Sequence, residues 1–315
     1  MSIRRGPALR AVAALLGMTA LAASLVACST LGNGGSQDGG DPLVATVTVP
    51  PGESVPDSGA GAQSGVEGGV ERNANPEAPG AGVVGPVLER IVATLPQGSG
   101  VALAPVGRSA EATAAGDLQS EVAWSSIKVP LAIAALRADP SLEPQMVAAI
   151  TVSDNDAAQA LWDGLGGGVD AASAVMGVLR EGGDATTAVP SERLREGYTV
   201  FGQTQWPLAE QARFGAGLPC IADSGAVLGE MGRVSVDQRW GLGRLDGARF
   251  KGGWGPSMDG GYLARQFGIV PAGGGEVAVA IMARAADFGS ATQVLDGIAE
   301  SVRGELGDMP GGTCA

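Results

Sequence analysis

The order of predicted secondary structure indicates an α+β fold, in which an antiparallel sheet is flanked by helices. Strand-like segments occur early and late in the folded region, a run of helical segments separates them, and a last helix closes the chain. Such an order is typical of α+β domains, so we expect the first and last parts of the chain to meet in one sheet. Apolar residues make up 45% of the sequence, which is enough to build a core.

Each element is predicted from periodicity and from the residues that interrupt it. Pro96 stops the first helix, and a helix starting at Ser125 or Ser126 continues to about Arg137. The other elements expected before residue 200 are a helix over Val84–Leu95, strands over Gly100–Val106 and near Glu121–Ala123, and helices over Leu142–Ile150, Asn155–Leu165 and Val169–Arg180. Beyond residue 200 we expect helices over Pro207–Ala216 and Ala226–Arg233, strands over Ala248–Trp254, Tyr262–Val270 and Glu276–Arg284, and a helix over Ser290–Leu306.

The first 27 residues are predicted to be a lipoprotein signal peptide. Arg4, Arg5 and Arg10 form a basic start, and residues 11–27 are apolar and small. The sequence Leu25-Val26-Ala27-Cys28 that follows resembles a bacterial lipobox, in which the signal is cut before the cysteine and the thiol is lipidated. The alternatives are a plain secretory signal with an incidental cysteine and an uncleaved membrane anchor. We therefore expect export, with the chain anchored to the outer face of the cell membrane by a lipid on Cys28.

Residues 28–82 are predicted to be the lipidated cysteine and a disordered tether, and residues 83–315 the folded domain. Gly and Pro supply 13 and 6 of residues 29–82, and this stretch contains no aromatic residue. That composition is typical of disordered segments. As a coil the tether would span about 40 Å, enough to hold a folded domain away from a membrane.

Charge and histidine content exclude several functions. The formal net charge is −13, whereas nucleic-acid binding requires a basic face. The chain contains no histidine, which excludes a Ser-His-Asp triad, a Cys-His dyad and histidine-ligated zinc. A catalytic base must therefore be Lys, Glu, Asp or Tyr. We expect no metal and no cofactor.

The chain has three cysteines, which is an odd number for an exported protein. If Cys28 carries lipid, Cys220 and Cys314 remain as a pair, and an oxidising envelope permits a disulfide between them. The alternative is two unpaired buried thiols. We expect the disulfide, which would tie the C-terminal tail to the middle of the chain; the sequence leaves the oligomeric state open.

The first candidate for chemistry is Ser125-Ser126-Ile127-Lys128, where a strand-like segment turns into a helix. Helical spacing brings the Lys128 amine near the Ser125 hydroxyl. A desolvated lysine close to another cation can lose its proton and activate a serine. The alternative is an N-cap serine followed by a solvated lysine.

Two further motifs could line the same cleft. Ser153-Asp154-Asn155 lies in a turn between two helical stretches, where a hydroxyl could relay a proton and an amide could hold a carbonyl or the lysine. The alternative is helix capping. Lys251-Gly252-Gly253 ends a strand, where two glycines let a substrate approach and the lysine could bind a carboxylate. Its alternative is an ordinary edge lysine followed by a bulge.

Together and in this order, the three motifs resemble the Ser-x-x-Lys, Ser-Asp-Asn and Lys-Thr-Gly set of class A β-lactamases and penicillin-binding proteins. The resemblance covers roughly residues 85–305. It implies that Ser125 is the acylated nucleophile, with Lys128 as its base or base partner. It further implies that Ser153 and Asn155 line the cleft, that Lys251 binds a substrate carboxylate, and that the Ser125 N–H is part of the oxyanion hole.

The sequence also departs from that family's pattern. Ser125 and Ser153 are only 28 residues apart, so we expect a trimmed all-helical lobe and an open cleft. Gly252 stands where the family usually has a hydroxyl. Glu192 is the expected deacylating base and Glu196 a weaker candidate, although neither fits the family's spacing. Arg265 is a candidate substitute anchor for the carboxylate, or else a solvated or Asp-paired arginine.

Two functions follow from the sequence. The first is an acyl-serine hydrolase or transferase that acts on β-lactams or peptidoglycan-type peptides through Ser125, with weak deacylation. The second is a non-catalytic envelope lipoprotein that keeps the fold as a binding or scaffold module. Covalent labelling by a penicillin-type probe would distinguish them.

Overall fold

The computed structural model describes residues 81–108, 110–258 and 260–314, with side chains described from residue 85. The predicted signal peptide, Cys28 and nearly all of the tether lie outside these residues. The α+β class is confirmed: a five-stranded antiparallel sheet lies between layers of helices, and a small two-stranded sheet lies beside it.

Helices form at or close to the predicted segments. The first begins at Ala81, slightly before the predicted domain boundary. The α-helices of the described chain are α1 (Ala81–Val92), α2 (Lys128–Ala138), α3 (Glu143–Thr151), α4 (Asn155–Gly164), α5 (Gly168–Glu181), α6 (Leu208–Gly217), α7 (Gly225–Met231) and α8 (Phe288–Glu305).

The main sheet joins both ends of the folded chain. The strands are β1 (Ser99–Pro105), β2 (Thr113–Gly116), β3 (Ser120–Val122), β4 (Gln205–Pro207), β5 (Arg249–Pro256), β6 (Tyr262–Ala272) and β7 (Gly275–Ala285). The order in the main sheet is β2-β1-β7-β6-β5, with every pair antiparallel. Because β1 pairs along its length with β7, the early strand meets the late strands as expected. Strands β3 and β4 form the second sheet.

The sequence did not predict β2 and β4 as strands. They have four and three residues, too few for an alternating pattern to be recognised. The remaining strands and all eight helices overlap their predicted segments.

Two apolar layers cover the two faces of the sheet. Helices α1 and α8 pack on one face, where Leu88, Ile91 and Leu295 are buried with sheet residues such as Val101 and Ile281. The other face carries α6 and, beyond it, the helical lobe that is built around α2. The candidate site described below lies where this lobe meets the β5 edge of the sheet.

Helix α2 is the centre of the helical lobe. All residues from Lys128 to Ala135 are buried, and apart from Lys128 they are apolar. Helices α3, α4 and α5 pack around them. Asp139 ends the helix in an extended conformation, and its carboxylate accepts a hydrogen bond from the Ser141 N–H, so Pro140 begins a new turn. A lysine at the start of so apolar a helix is held inside the protein.

The predicted disulfide is present. Cys220 and Cys314 are bonded, with their Cα atoms 5.2 Å apart. The C-terminal segment also pairs with β7, because Gly312 and Glu276 exchange two backbone hydrogen bonds of 2.9 Å. The tail is therefore fixed at two points to the rest of the domain.

Within the part of the chain that the structure describes, none of the helices has the length and apolarity needed to span a bilayer.

Candidate active site

The turn before α2 separates two adjacent serines. A short 3₁₀ helix, Trp124–Ile127, links β3 to α2. Ser126 is fully buried: its Oγ donates to the Ala123 carbonyl at 2.6 Å and accepts from Gln211 Nε2 at 2.9 Å. Ser125 is only partly buried and lines an open cleft. Of the two hydroxyls, that of Ser125 is the one that a ligand can reach.

The backbone is strained just before Ser125. Trp124 has a φ of +48°, in the left-handed region that bulky residues rarely adopt. Such conformations cost about 1–3 kcal/mol and persist only where the surroundings enforce them. Here the Trp124 ring lies against Gly255 of β5, where an added Cβ would come within 2.4 Å of the ring. The ring of Tyr198 packs edge-on to it at 5.1 Å.

Lys128 is bound to the 153–155 turn. Its Nζ donates to the Ser153 carbonyl at 2.7 Å and to Asn155 Oδ1 at 2.8 Å, with longer contacts to the Asp154 carbonyl (3.2 Å) and Ser153 Oγ (3.4 Å). Among the hydrogen bonds of the described residues, none joins Nζ to Ser125 Oγ. Catalytic hydrogen bonds are often long or absent in ligand-free structures and shorten when substrate binds.

The 153–155 turn acquires its shape from two features. Ser153 has a φ of +59°, which turns the chain between α3 and α4. Asp154 caps α4, because its carboxylate accepts from the Ala157 N–H at 2.7 Å. Helix capping is the alternative interpretation of this motif, and Asp154 performs it. Ser153 and Asn155 are therefore free to contact the lysines.

Lys251 completes the group from the sheet side. Its Nζ, on β5, donates to Ser153 Oγ at 2.9 Å and to the Gly252 carbonyl at 2.9 Å. Ser153 Oγ thus lies between the two lysine amines. The structure brings Lys128, Ser153, Asn155 and Lys251 into one connected network, and Ser125 and Asn155 both line the cleft beside it.

Burial sets the protonation of both amines. Desolvation lowers the pKa of Lys128 to about 7, an effect that the nearby Asp154 charge partly opposes. Desolvation also holds the pKa of Lys251 well below its usual range, and the charge of Lys128 lowers it further. Near neutral pH a substantial fraction of Lys128 therefore carries a free lone pair, as a general base requires.

The two glycines of the third motif have different neighbours. A Cβ on Gly253 would lie 2.6 Å from the Ala123 carbonyl oxygen and 2.8 Å from the Ser125 nitrogen, so β5 rests directly on the backbone of the turn before α2. A Cβ on Gly252 would lie 3.1 Å from the Trp240 ring. Trp240 therefore occupies the space beside residue 252 that a larger side chain would need.

The cleft beside Ser125 has a volume of about 410 Å³. Its walls come from the 3₁₀ turn, α4, the 193–199 loop, and the end of β5 with the start of β6. The lining residues are Trp124, Ser125, Asn155, Gln159, Arg193, Gly197, Tyr198, Thr199, Trp254, Gly255, Pro256 and Tyr262. None of these is a carboxylate.

The assignment of Glu192 as deacylating base is corrected by its position. Glu192 is exposed, as is the weaker candidate Glu196, and neither lines the cleft; Arg193, Gly197 and Tyr198 of the same loop do. Since the loop has no regular structure, sequence spacing could not determine which of its side chains would be turned inward.

Arg265 is also corrected, because it has a structural role. It is fully buried on β6, and its guanidinium donates to the carbonyls of Glu121 (2.7 Å), Val122 (3.2 Å) and Trp206 (3.0 Å) and to Gln211 Oε1 (2.7 Å). These contacts bind the two-stranded sheet to the main sheet. The side chain is therefore neither an anchor in the cleft nor solvated nor Asp-paired.

Sequence reasoning missed Gln211 and Trp240. Gln211 contacts both Ser126 and Arg265, and so fixes the turn before α2 against β6. Its position in the middle of an amphipathic helix gave no signal. For Trp240, the only signal in the sequence was the glycine at position 252. A glycine there indicates that a neighbouring group lies close to the strand, but it does not identify that group.

No family model matches the sequence, and no curated protein matches it. Solved structures do match. A β-lactamase from Chitinophaga pinensis is 17% identical with a TM-score of 0.54, over 69% of this chain and 95% of that one. A β-lactamase from Sphaerobacter thermophilus is 18% identical with a TM-score of 0.52, over 73% and 99%. A mutant of the class A β-lactamase of the last common ancestor of Gram-negative bacteria is 17% identical with a TM-score of 0.54, over 70% and 98%.

The chain therefore has the fold of class A β-lactamases. At these identities the likeness defines the architecture alone, and the chemistry must be argued from the site.

Proposed function

We propose that this protein is an acyl-serine hydrolase or transferase that acts on β-lactams or peptidoglycan-type peptides, with Ser125 as the nucleophile. The observation that carries the proposal is the network around Lys128. Its amine is buried, its pKa is near 7, and it contacts Asn155 and the Ser153 that Lys251 also binds. A buried amine of this kind, three residues after an accessible serine, fits nucleophile activation.

The reaction would proceed by acyl transfer. Ser125 Oγ attacks the substrate carbonyl, and its proton passes to the neutral amine of Lys128. The Ser125 N–H contributes to the site that holds the developing oxyanion. As the carbon–nitrogen bond breaks, Ser153 gives its proton to the leaving nitrogen and regains one from the lysines on either side of it. Lys251 and Asn155 position the substrate, with Gly252 and Gly253 permitting its close approach along β5.

Release of the acyl group is expected to be slow. Removal of a proton from the attacking water requires a base, and no carboxylate lines the cleft within the described chain. Lys128, which is neutral again once its proton has passed to Ser153, is the remaining base, and its amine is already engaged by the 153–155 turn. We therefore expect an acyl-enzyme that persists for minutes or longer, or that transfers its acyl group to an amine.

Time-resolved intact mass after addition of a penicillin tests this proposal. We expect an adduct of the mass of the whole β-lactam, and no adduct for Ser125→Ala. The matched control is Ser126→Ala, which removes the neighbouring hydroxyl with its buried hydrogen bonds and should lower stability while keeping the adduct. An adduct on Ser125→Ala would exclude Ser125 as the nucleophile.

Two observations favour a second candidate, a non-catalytic binding or scaffold module with the same fold. Among the described residues no carboxylate lines the cleft, and a Cβ on Gly252 would lie 3.1 Å from the Trp240 ring. This candidate is supported if no penicillin or ester forms an adduct with the folded wild-type protein while a muropeptide still binds it in calorimetry.

We further propose that the protein is an exported lipoprotein held to the membrane through Cys28. The proposal rests on the basic start, the apolar run and the lipobox-like end of residues 1–28. In the native host, the mature protein extracted from membranes should begin at Cys28 and carry the added mass of a lipid on that residue. A membrane-bound chain that still contains residues 1–27 would instead indicate an uncleaved anchor.

A further inference from the structure

A second cavity lies next to the cleft of Ser125. Its volume is about 430 Å³, within the range of small-molecule sites. It shares Trp124, Tyr198 and Pro256 with the cleft. The rest of its lining includes Val122, Leu194, Arg195, Gln203, Met258 and Leu263. The two cavities are therefore adjacent, and a chain attached to a carbonyl at Ser125 would have to extend past the three shared residues to enter the second one.

The surface of this cavity is mainly apolar. Val122, Trp124 and Leu263 form its inner part, and Leu194 and Met258 stand at its rim. These two rim side chains are 71% and 85% exposed, which is unusual for large apolar residues. Glu121 and Arg284 lie together as an ion pair, so the charges there are directed at each other.

The loop that covers the cavity is held in place. Gln203 Nε2 donates to the carbonyls of Thr199 (3.0 Å), Arg195 (3.2 Å) and Tyr198 (3.3 Å), which fastens residues 195–199 from below. The Arg195 guanidinium lies over the Tyr198 ring at 4.4 Å and donates to the Pro256 carbonyl at 3.1 Å. The loop is thereby joined to the end of β5, and the cavity is formed before any ligand binds.

We infer that this cavity receives the hydrocarbon chain of an acyl donor, such as an alkanoyl ester, whose carbonyl is attacked by Ser125. A hydrocarbon chain fits because the walls are mainly apolar, the rim is apolar, and among the described lining residues the one carboxylate, that of Glu121, is paired with Arg284. The reaction is the acyl transfer of the proposed function. The kinetic test of this inference rests on that function, because it measures the acylation of Ser125. The ester carbon–oxygen bond breaks, the alcohol leaves with a proton, the acyl chain remains on Ser125 Oγ, and water or an alcohol later takes it.

A chain-length series measures the effect. Below micelle-forming concentrations, p-nitrophenyl acetate, butyrate, hexanoate and octanoate should acylate Ser125 with rate constants that rise by up to about fourfold per methylene. Leu194→Asp and Met258→Asp place a charge at the rim and should lower the octanoate-to-acetate ratio by up to about 15-fold, the value expected if the rim covers two methylenes. Val169→Asp is the matched control: Val169 is 68% exposed and lies outside both cavities, so the ratio should not change.

A binding measurement separates this inference from the proposed function. Octan-1-ol should bind to Ser125→Ala in calorimetry, and Met258→Asp added to that variant should weaken binding, whereas Val169→Asp should not. Binding without acylation would overturn the proposed function and keep the cavity assignment. Acylation with a flat chain-length series and no octanol binding would keep the proposed function and overturn the cavity assignment.

Discussion

Two lysine amines lie in the interior within contact of one serine hydroxyl. Lys128 and Lys251 are 1% and 0% exposed, and Ser153 Oγ is 3.4 Å and 2.9 Å from their Nζ atoms. Each amine raises the cost of charging the other, since like charges repel and little water screens them. The carbonyl and amide oxygens of the 153–155 turn accept from Lys128 without adding a formal charge. Burial therefore lowers the pKa of both amines, that of Lys128 to about 7, and the charge of Lys128 lowers that of Lys251 further.

The rate of acylation should accordingly depend on pH through Lys128. Its pKa is lowered to about 7, and only the neutral amine accepts a proton. The rate should fall by about tenfold per pH unit below pH 7 and level off above it. Acylation by a fluorescent penicillin, followed from pH 5 to pH 9, measures this dependence.

Lys128→Arg is the control for this dependence, because arginine stays charged over the whole range. It should acylate slowly at every pH and without the step near pH 7. A rate profile of the wild type that is flat between pH 5 and pH 9 would contradict the role of Lys128 as base.

At the scale of elements, the site depends on β5 resting on the turn before α2. Gly253→Ala should push β5 away from this turn, because the new Cβ would lie within 2.8 Å of three backbone atoms there. A displacement of about 1 Å at a reacting centre can cost on the order of 100-fold in rate. We expect acylation of Ser125 to fall by about that factor while the circular dichroism spectrum remains that of a folded protein.

Gly177→Ala on α5 is the matched control. A Cβ there meets nothing within 4 Å, and alanine favours the helix by about 1 kcal/mol. This variant should acylate at the wild-type rate and unfold at a slightly higher temperature. Equal rates for Gly253→Ala and Gly177→Ala would show that the contact of β5 with the turn does not position Ser125.

The same scale shows what the sequence could predict. Periodicity and prolines located the eight helices and the long strands, because those signals are local. The placements of Glu192 and Arg265 were wrong for a physical reason. In the irregular loop of Glu192, sequence spacing does not determine which side chains point inward. On the strand of Arg265, an arginine among apolar residues is compatible with a buried hydrogen-bonded guanidinium as well as with an anchor in the cleft. Only tertiary contacts decide between a buried guanidinium and a cleft anchor. Here they are the hydrogen bonds that the Arg265 guanidinium donates to the carbonyls of Glu121 in β3 and of Trp206.

At the scale of the whole molecule, the chain closes on itself twice. Strand β1 pairs with β7, and the disulfide joins Cys220, which follows α6, to Cys314 near the C-terminus. The bond closes a loop with a sequence separation of 94 residues. In the chain-entropy model, a loop of that length lowers the entropy of the unfolded chain enough to stabilise the fold by about 4.7 kcal/mol.

Loss of this disulfide should therefore destabilise the whole domain while the site stays intact. In the Cys28→Ala background, which excludes thiol exchange, Cys220→Ala with Cys314→Ala should lower the free energy of unfolding in urea by about 2–4 kcal/mol. The acylation rate of the folded protein should not change, because neither cysteine lines the cleft of Ser125. Adding reductant is the control: it should lower the midpoint of the Cys28→Ala protein to that of the triple variant and leave the triple variant unchanged. Equal midpoints for both proteins without reductant would mean that the backbone pairing of Gly312 with Glu276 is enough to hold the tail.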